Sequence, residues 1–155
     1  MSEIKFLNLP RIVLPSRYYS TDDIYYSSKI PGFISYKIIS ESVLRQLNSI
    51  FRPIINDIEG MFIQTIGPSF CNYIHKDPRS YAINYILDTG GDNVNTAFFE
   101  NGYNSTCVPK EAWHYFRADR LHAVQNITTT RIAITISIKH ELSIDTVNWL
   151  ESISI

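Results

Sequence analysis

Residues 131–138 constrain the fold more than any other stretch, because Ile132, Ile134, Ile136 and Ile138 alternate without a break with Arg131, Ala133, Thr135 and Ser137. Side chains of a β-strand repeat every two residues, so the isoleucines share one face and the other face carries a guanidinium and two hydroxyls among small neighbours. The apolar face must pack against another layer. The polar face has the composition of a cavity wall. An ordinary surface arginine opening a strand is the simpler alternative for Arg131; the phase of the alternation favours the cavity.

The rest of the chain after Gly60 reads as short strands at 61–66, 72–76, 81–87, 95–99, 105–108, 113–116 and 121–126, with 131–138 as the eighth. They are separated by Gly67-Pro68, Asp77-Pro78, Gly90-Gly91-Asp92-Asn93 and Asn101-Gly102, residues that supply the dihedrals of tight reversals. Ten Tyr and eight Phe favour a sheet-rich core over a helical bundle. The fold class expected is mainly β, an antiparallel jelly roll. One helix is expected from Ser40, which can cap Val43, Leu44, Leu47, Ile50 and Phe51 at helical spacing before Pro53 closes the segment. Residues 1–35, interrupted by Pro10, Pro15 and Pro31, suggest irregular strands or a packed arm, and the tail 141–155 a last helix or strand. A length of 155 residues fits a single domain, divided as an arm and helix (1–60), a core (61–138) and an extension (139–155).

Within Tyr73-Ile-His75-Lys-Asp77-Pro78, His75 and Asp77 are two apart, so in extended chain both project to one side while Lys76 points away. An imidazole nitrogen with a carboxylate oxygen is a borderline-hard pair suited to Fe(II), Mn(II) or Zn(II). Such pairs also arise by chance, and a centre needs a third ligand. His122 lies in the alternating segment Leu-His-Ala-Val-Gln-Asn, nine residues before Arg131, a separation that lets a hairpin place both in one cavity. His114 sits in a turn-like aromatic stretch, Ala-Trp-His-Tyr-Phe, and His140 lies beyond the Ile-alternating strand among charges. His122 is therefore the expected third ligand. Two histidines and a carboxylate on one side of a metal leave the other side open, the facial arrangement of non-haem Fe(II) oxygenases. Arg131 can then hold a carboxylate through two parallel charge-assisted hydrogen bonds, with Thr135 on the same face to support it.

The pattern His75-Lys-Asp77, an apolar strand Ala-Ile-Asn-Tyr-Ile-Leu, His122 and then Arg131 resembles the 2-oxoglutarate/Fe(II)-dependent dioxygenases over residues 61–138. The likeness is to their prolyl-hydroxylase-like branch and to short oxygenases of viral genomes. It implies a double-stranded β-helix (jelly roll, cupin-like) with one or two flanking N-terminal helices. It implies His75, Asp77 and His122 as catalytic iron ligands, and Arg131 as partner of the distal carboxylate of 2-oxoglutarate. Prolyl hydroxylases often carry a Tyr on the strand after the His-x-Asp turn; an alignment through Arg79 puts Ile86 there, with Tyr85 out of phase. Asn84, in phase with Ala82 and Ile86, is the substitute candidate for the co-substrate site, and Gln64 a weaker one. Either can instead satisfy backbone groups. The activity implied is hydroxylation of a peptidyl residue, proline among the candidates, or of a small molecule, using dioxygen and releasing succinate and CO2.

Trp113, Tyr115 and Phe116 are candidates for a substrate wall or for core, and Arg79, Arg117 and Arg120 are most simply solvated. A net charge of −1 and a pI near 6.4 provide no basic footprint for nucleic acid. No apolar run approaches the roughly 20 residues that cross a bilayer, and the start lacks a cleavable signal pattern. Cys71 and Cys107 are too few for a disulfide framework and are expected as thiols. The expected location is the cytoplasm, the host's if the chain is viral. Two competing functions stay open: a non-catalytic jelly-roll or cupin-like binding module with a coincidental metal motif, and a Zn(II) or Mn(II) enzyme without 2-oxoglutarate, against which Arg131 argues.

Overall fold

The computed structural model describes residues 3–77, 81–139 and 141–155; Pro78 of the expected Asp77-Pro78 turn, Arg79 and His140 lie outside the described residues. The chain runs β1 (Lys5–Phe6), β2 (Tyr19–Ser27), β3 (Phe33–Ile38), α1 (Glu41–Ile50), a 3-10 segment (Arg52–Asp57) and β4 (Ile58–Ile66). A 3-10 turn (Pro68–Phe70) leads to β5 (Tyr81–Asp88), β6 (Asn95–Phe98), β7 (Asn104–Thr106), β8 (Trp113–Arg117), β9 (His122–Gln125), β10 (Arg131–Ile138) and α2 (Ile144–Ile153). The strands form a seven-stranded sheet in the order β1-β8-β5-β10-β4-β3-β2 and a three-stranded sheet in the order β7-β6-β9.

The isoleucine strand is β10, and it lies in the middle of the large sheet between β5 and β4. Its two faces separate as the alternation requires. Ile134, Ile136 and Ile138 join Ile63, Ile83 and Tyr85 in a core covered by Val43 and Leu47 of α1 and Leu150 of α2. Each of these fully buried aliphatic side chains contributes about 1.5–3 kcal/mol relative to exposure. The opposite, inner face turns toward the small sheet, and apolar contacts there form two groups. Ile86, Ala133 and Phe116 pack with Phe98 of β6, while Ile66 and Phe70 pack with Val94, Val124 and Ile127.

Helix α1 begins where Ser40 accepts a hydrogen bond from the Val43 backbone N–H (3.2 Å), satisfying one of the four orphan donors of a helix start. The tail is a helix. Its Ser143 cap and its Thr146 are both anchored to Asp57, whose Oδ2 accepts from Ser143 N (2.9 Å), Ser143 Oγ (2.9 Å) and Thr146 Oγ1 (2.6 Å). None of the described helices is long and apolar enough to cross a membrane.

The structure corrects the sequence expectation in three places. Residues 72–76 are not a strand, because the 3-10 turn after Gly67 and a left-handed Asn72 (φ 65°) break the ladder. Only His75 makes a bridge, to His122. Part of the expected arm is regular, since β2 and β3 extend the large sheet; the mostly exposed sequence YSTDDIYYS of β2 carries little alternation to reveal it. His114 is not in a turn. The turn lies before it, at Lys110–Glu111, and His114 is within β8.

Hydrogen bonds from Thr146 and Ser143 hold the Asp57 carboxyl below its ordinary value of 3.8. A carboxylate stabilised in the fold contributes fully above its unfolded pKa, and the contribution is lost as pH falls through the lowered folded value. Asp57→Ala is expected to cost about 1–3 kcal/mol by stranding the Ser143 and Thr146 donors. Urea unfolding of both proteins should show that difference at pH 7 and its shrinkage on strong acidification.

Candidate metal centre

Three side chains meet at the junction of the two sheets. His75 Nε2 lies 3.2 Å and His122 Nε2 3.7 Å from the same oxygen, Asp77 Oδ1. One donor atom from each residue falls within 4.8 Å of the others. The placement is made by backbone. The His75 N–H donates to the His122 carbonyl (2.9 Å), the His122 N–H donates back to that of His75 (3.0 Å), and the Asp77 N–H donates to Ala118 (2.9 Å). Thus the same-side geometry expected of a strand arises from a single bridge, which ties the His75–Asp77 segment to the start of β9.

Both rings are held in the tautomer a metal requires. Each donates Nδ1–H to the carbonyl two residues earlier, His75 to Tyr73 (2.9 Å) and His122 to Arg120 (2.7 Å). That leaves the Nε2 lone pairs facing Asp77, the outer-sphere arrangement usual for ligating histidines. Phe33, Phe70 and Tyr73 surround the His75 ring, while Phe98 and Phe116 pack on that of His122. Lys76 points away and pairs with Glu100 (3.2 Å).

Beside this cluster is a cavity whose wall includes Gln64, Asn84, Thr96, Phe116, Arg131 and Ala133. Arg131 is 5% exposed, forms no ion pair among the described residues, and its Nη1 has no hydrogen-bond partner. Burial pushes its pKa down to about 10, which still leaves it charged at neutral pH. A buried cation without a counter-ion is costly, so the cavity is built for an anion. Asn84 Oδ1 and Thr135 Oγ1 are also buried without partners, on β5 and β10 in direct register. The donors therefore fit the group expected: two nitrogens and one oxygen for a divalent first-row ion, and a guanidinium with nearby polar atoms for a carboxylate. His75 and Asp77 also line a groove of about 980 Å³ walled by Tyr25, Tyr26, Phe62, Phe70 and Tyr73.

Other candidates fall elsewhere. Tyr85 faces the helices, where its hydroxyl accepts from the Ile12 N–H (3.3 Å), and Ile86 takes the inward position. Trp113 donates its indole N–H to the Pro10 carbonyl (2.8 Å) and, with Tyr115, belongs to the helix-side core; of the three aromatics only Phe116 lines the cavity. Arg117 pairs with Asp119 (2.8 Å) and Arg120 with Glu3 (3.4 Å). Thr96 and Phe33 were not anticipated at the cavity; the polar alternation of β6, Asn95-Thr96-Ala97-Phe98, was the available sign for Thr96. Both cysteines are free.

No protein-family model matches the chain, and no curated protein matches its sequence. Among solved structures it is similar to a prolyl hydroxylase in complex with a hypoxia-inducible-factor oxygen-degradation-domain peptide fragment, from Trichoplax adhaerens. The TM-score is 0.56 at 16% sequence identity, over 80% of this chain and 71% of that one. The likeness is one of fold: the two antiparallel sheets are a double-stranded β-helix.

Arg131 depends on a glycine in the neighbouring turn. Gly90 has φ +82°, and a Cβ there would lie 3.0 Å from both Cβ and N of Arg131, while its carbonyl accepts from the N–H groups of Thr128 and Thr129 (2.9 Å each). Gly102, also at positive φ (+80°), has nothing within 4 Å. Gly102→Ala should cost about 1–2 kcal/mol of backbone strain. Gly90→Ala should cost more and displace Arg131, which parallel unfolding curves and a crystal structure of the variant would reveal.

Proposed function

We propose that this chain is a 2-oxoglutarate- and Fe(II)-dependent oxygenase that hydroxylates a peptidyl residue. The observation that carries this reading is the buried, unpaired guanidinium of Arg131 in the cavity beside His75, Asp77 and His122. A metal-binding module or a Zn(II) enzyme without an acidic co-substrate has no use for such a cation. In this reading His75, Asp77 and His122 hold iron, and Arg131 holds the distal carboxylate of 2-oxoglutarate with support from Thr135 and Asn84.

When bound, the iron supplies activation of dioxygen coupled to decarboxylation of 2-oxoglutarate to succinate and CO2, with oxygen delivered to a substrate C–H bond. The protein contributes position. The Tyr73 and Arg120 carbonyls hold Nδ1–H of each imidazole and so aim its Nε2; Phe98 and Phe116 shield the His122 side from water. The inner cavity and the aromatic groove share Phe33, His75 and Asp77 in their walls, so co-substrate and substrate would meet at the His75–Asp77 pair. A peptide suits the groove because its wall is aromatic and reaches His75 and Asp77, and the structurally similar prolyl hydroxylase is complexed with a peptide. Proline is one candidate side chain, since aromatic walls favour it. The cytoplasm remains the proposed location.

Anaerobic addition of 2-oxoglutarate to the Fe(II) protein should produce a charge-transfer absorption, and admission of oxygen should release succinate even in uncoupled turnover. His122→Ala should lose iron. Arg131→Ala should keep it while weakening 2-oxoglutarate by about 100-fold, as expected for loss of a charge-assisted pair. Absence of both absorption and succinate would falsify the oxygenase assignment, and undiminished iron affinity in His122→Ala would remove that residue from the centre.

A further inference from the structure

The inner face of the large sheet carries a polar row that runs from the cavity wall at Asn84 to the buried His114. His114 of β8 stands in direct register with Asn84 of β5, and Asn84 with Thr135 of β10. Residues opposed in this way point to the same side with Cβ atoms about 5 Å apart. The row His114–Asn84–Thr135 thus crosses three adjacent strands, at 1%, 6% and 0% exposure. Three polar side chains in line inside a sandwich are costly unless they answer one another or a ligand. Two of the row's atoms, Asn84 Oδ1 and Thr135 Oγ1, have no partner.

The state of His114 is well defined. Its Nδ1–H donates to the Ala112 carbonyl (3.1 Å), and its ring stacks on Phe116 (13° between planes). Burial, opposed by the Ala112 hydrogen bond and aided by the charge of Arg131, brings its pKa down to about 3. The ring is therefore neutral in any ordinary buffer, and its remaining nitrogen, Nε2, is an acceptor. A carboxamide can turn half a revolution about its last torsion at small cost, exchanging its oxygen for its NH2. Opposite an acceptor the NH2 orientation is favoured.

We propose that His114 is a positioning residue of the co-substrate pocket: its Nε2 accepts one N–H of Asn84, so that the other N–H, with Thr135 and Arg131, is presented to a single carboxylate. This inference rests on the oxygenase reading above. In it Asn84 does the work of the absent Tyr, which would carry a hydroxyl donor at the same strand, and His114 supplies the orientation that a carboxamide lacks. Because the imidazole is uncharged, the pocket holds the one positive charge of Arg131, matched to a carboxylate.

The test uses Mn(II) in place of iron, so that no turnover occurs, and titrates 2-oxoglutarate calorimetrically. His114→Leu should raise the 2-oxoglutarate Kd about tenfold, the usual effect of losing one buried hydrogen bond, with Mn(II) affinity unchanged. His114→Gln, which can place an acceptor near the former Nε2, should restore most of the affinity. His114→Asn can keep the donor to Ala112 without that acceptor, so it should behave as His114→Leu and serves in its place if the leucine variant does not fold. In an Asn84→Ala background, His114→Leu should bring no further loss. An unchanged Kd in His114→Leu, or an equal loss with and without Asn84, overturns the role of His114 alone. A wild-type protein that binds Mn(II) but no 2-oxoglutarate overturns the oxygenase reading, and the inference with it.

Discussion

A positively charged side chain inside a β-sandwich, with no acid among the described residues to answer it, is the constraint on which the rest of the site depends. Arg131 occupies the first position of the central strand β10, and the turn before that strand is hydrogen-bonded to the carbonyl of Gly90. The strand's other face is almost wholly aliphatic. Moving the guanidinium outward by a one-residue slip would bring Ile132, Ile134 and Ile136 to the inner face and break the core under α1. The cation is held inside by the hydrophobic pattern of its own strand.

The two layers divide the work. The large sheet contributes Arg131, Thr135, Asn84 and Gln64, the polar groups suited to an anion. The small sheet contributes His122 from β9, and the segment bridged to it contributes His75 and Asp77. The candidate centre therefore lies where the sheets meet, and the apolar contacts of Phe98 with Phe116 and of Val124 with Ile66 and Phe70 fix the spacing between the His75–Asp77–His122 cluster and the Arg131 cavity.

Much of this was legible in the residues. The alternation at 131–138 placed Arg131, Ala133, Thr135 and Ser137 on one side, and they are on one side. The two-residue step from His75 to Asp77 anticipated that these side chains converge, whereas the expected hairpin from His122 to Arg131 does not form: β9 pairs with β6 and β10 with β4 and β5, so the two residues reach one cavity from different sheets. Less visible were features set by tertiary pairing. Residues 72–76 have the apolar content of a strand, yet Asn72 in a left-handed conformation allows them one bridge only. Nothing local distinguishes His114 in an aromatic run from a ring at a turn, since its burial comes from β5 on one side and Phe6 of β1 on the other. The nine residues of β2 are at the sheet's edge and so have little reason to alternate.

All three described histidines share one habit: each ring is tied by Nδ1 to the carbonyl two residues before it. At each of the three that carbonyl is within reach, so the tether is supplied by the backbone and needs no additional side chain. Such a ring cannot swivel without surrendering a hydrogen bond. For the His75–His122 pair in its proposed role the consequence is kinetic and entropic: an arriving ion would meet imidazoles already aligned, with no tautomer to exchange and little side-chain freedom left to lose. The centre is in this sense poised before it is filled, with its readiness encoded in main-chain geometry.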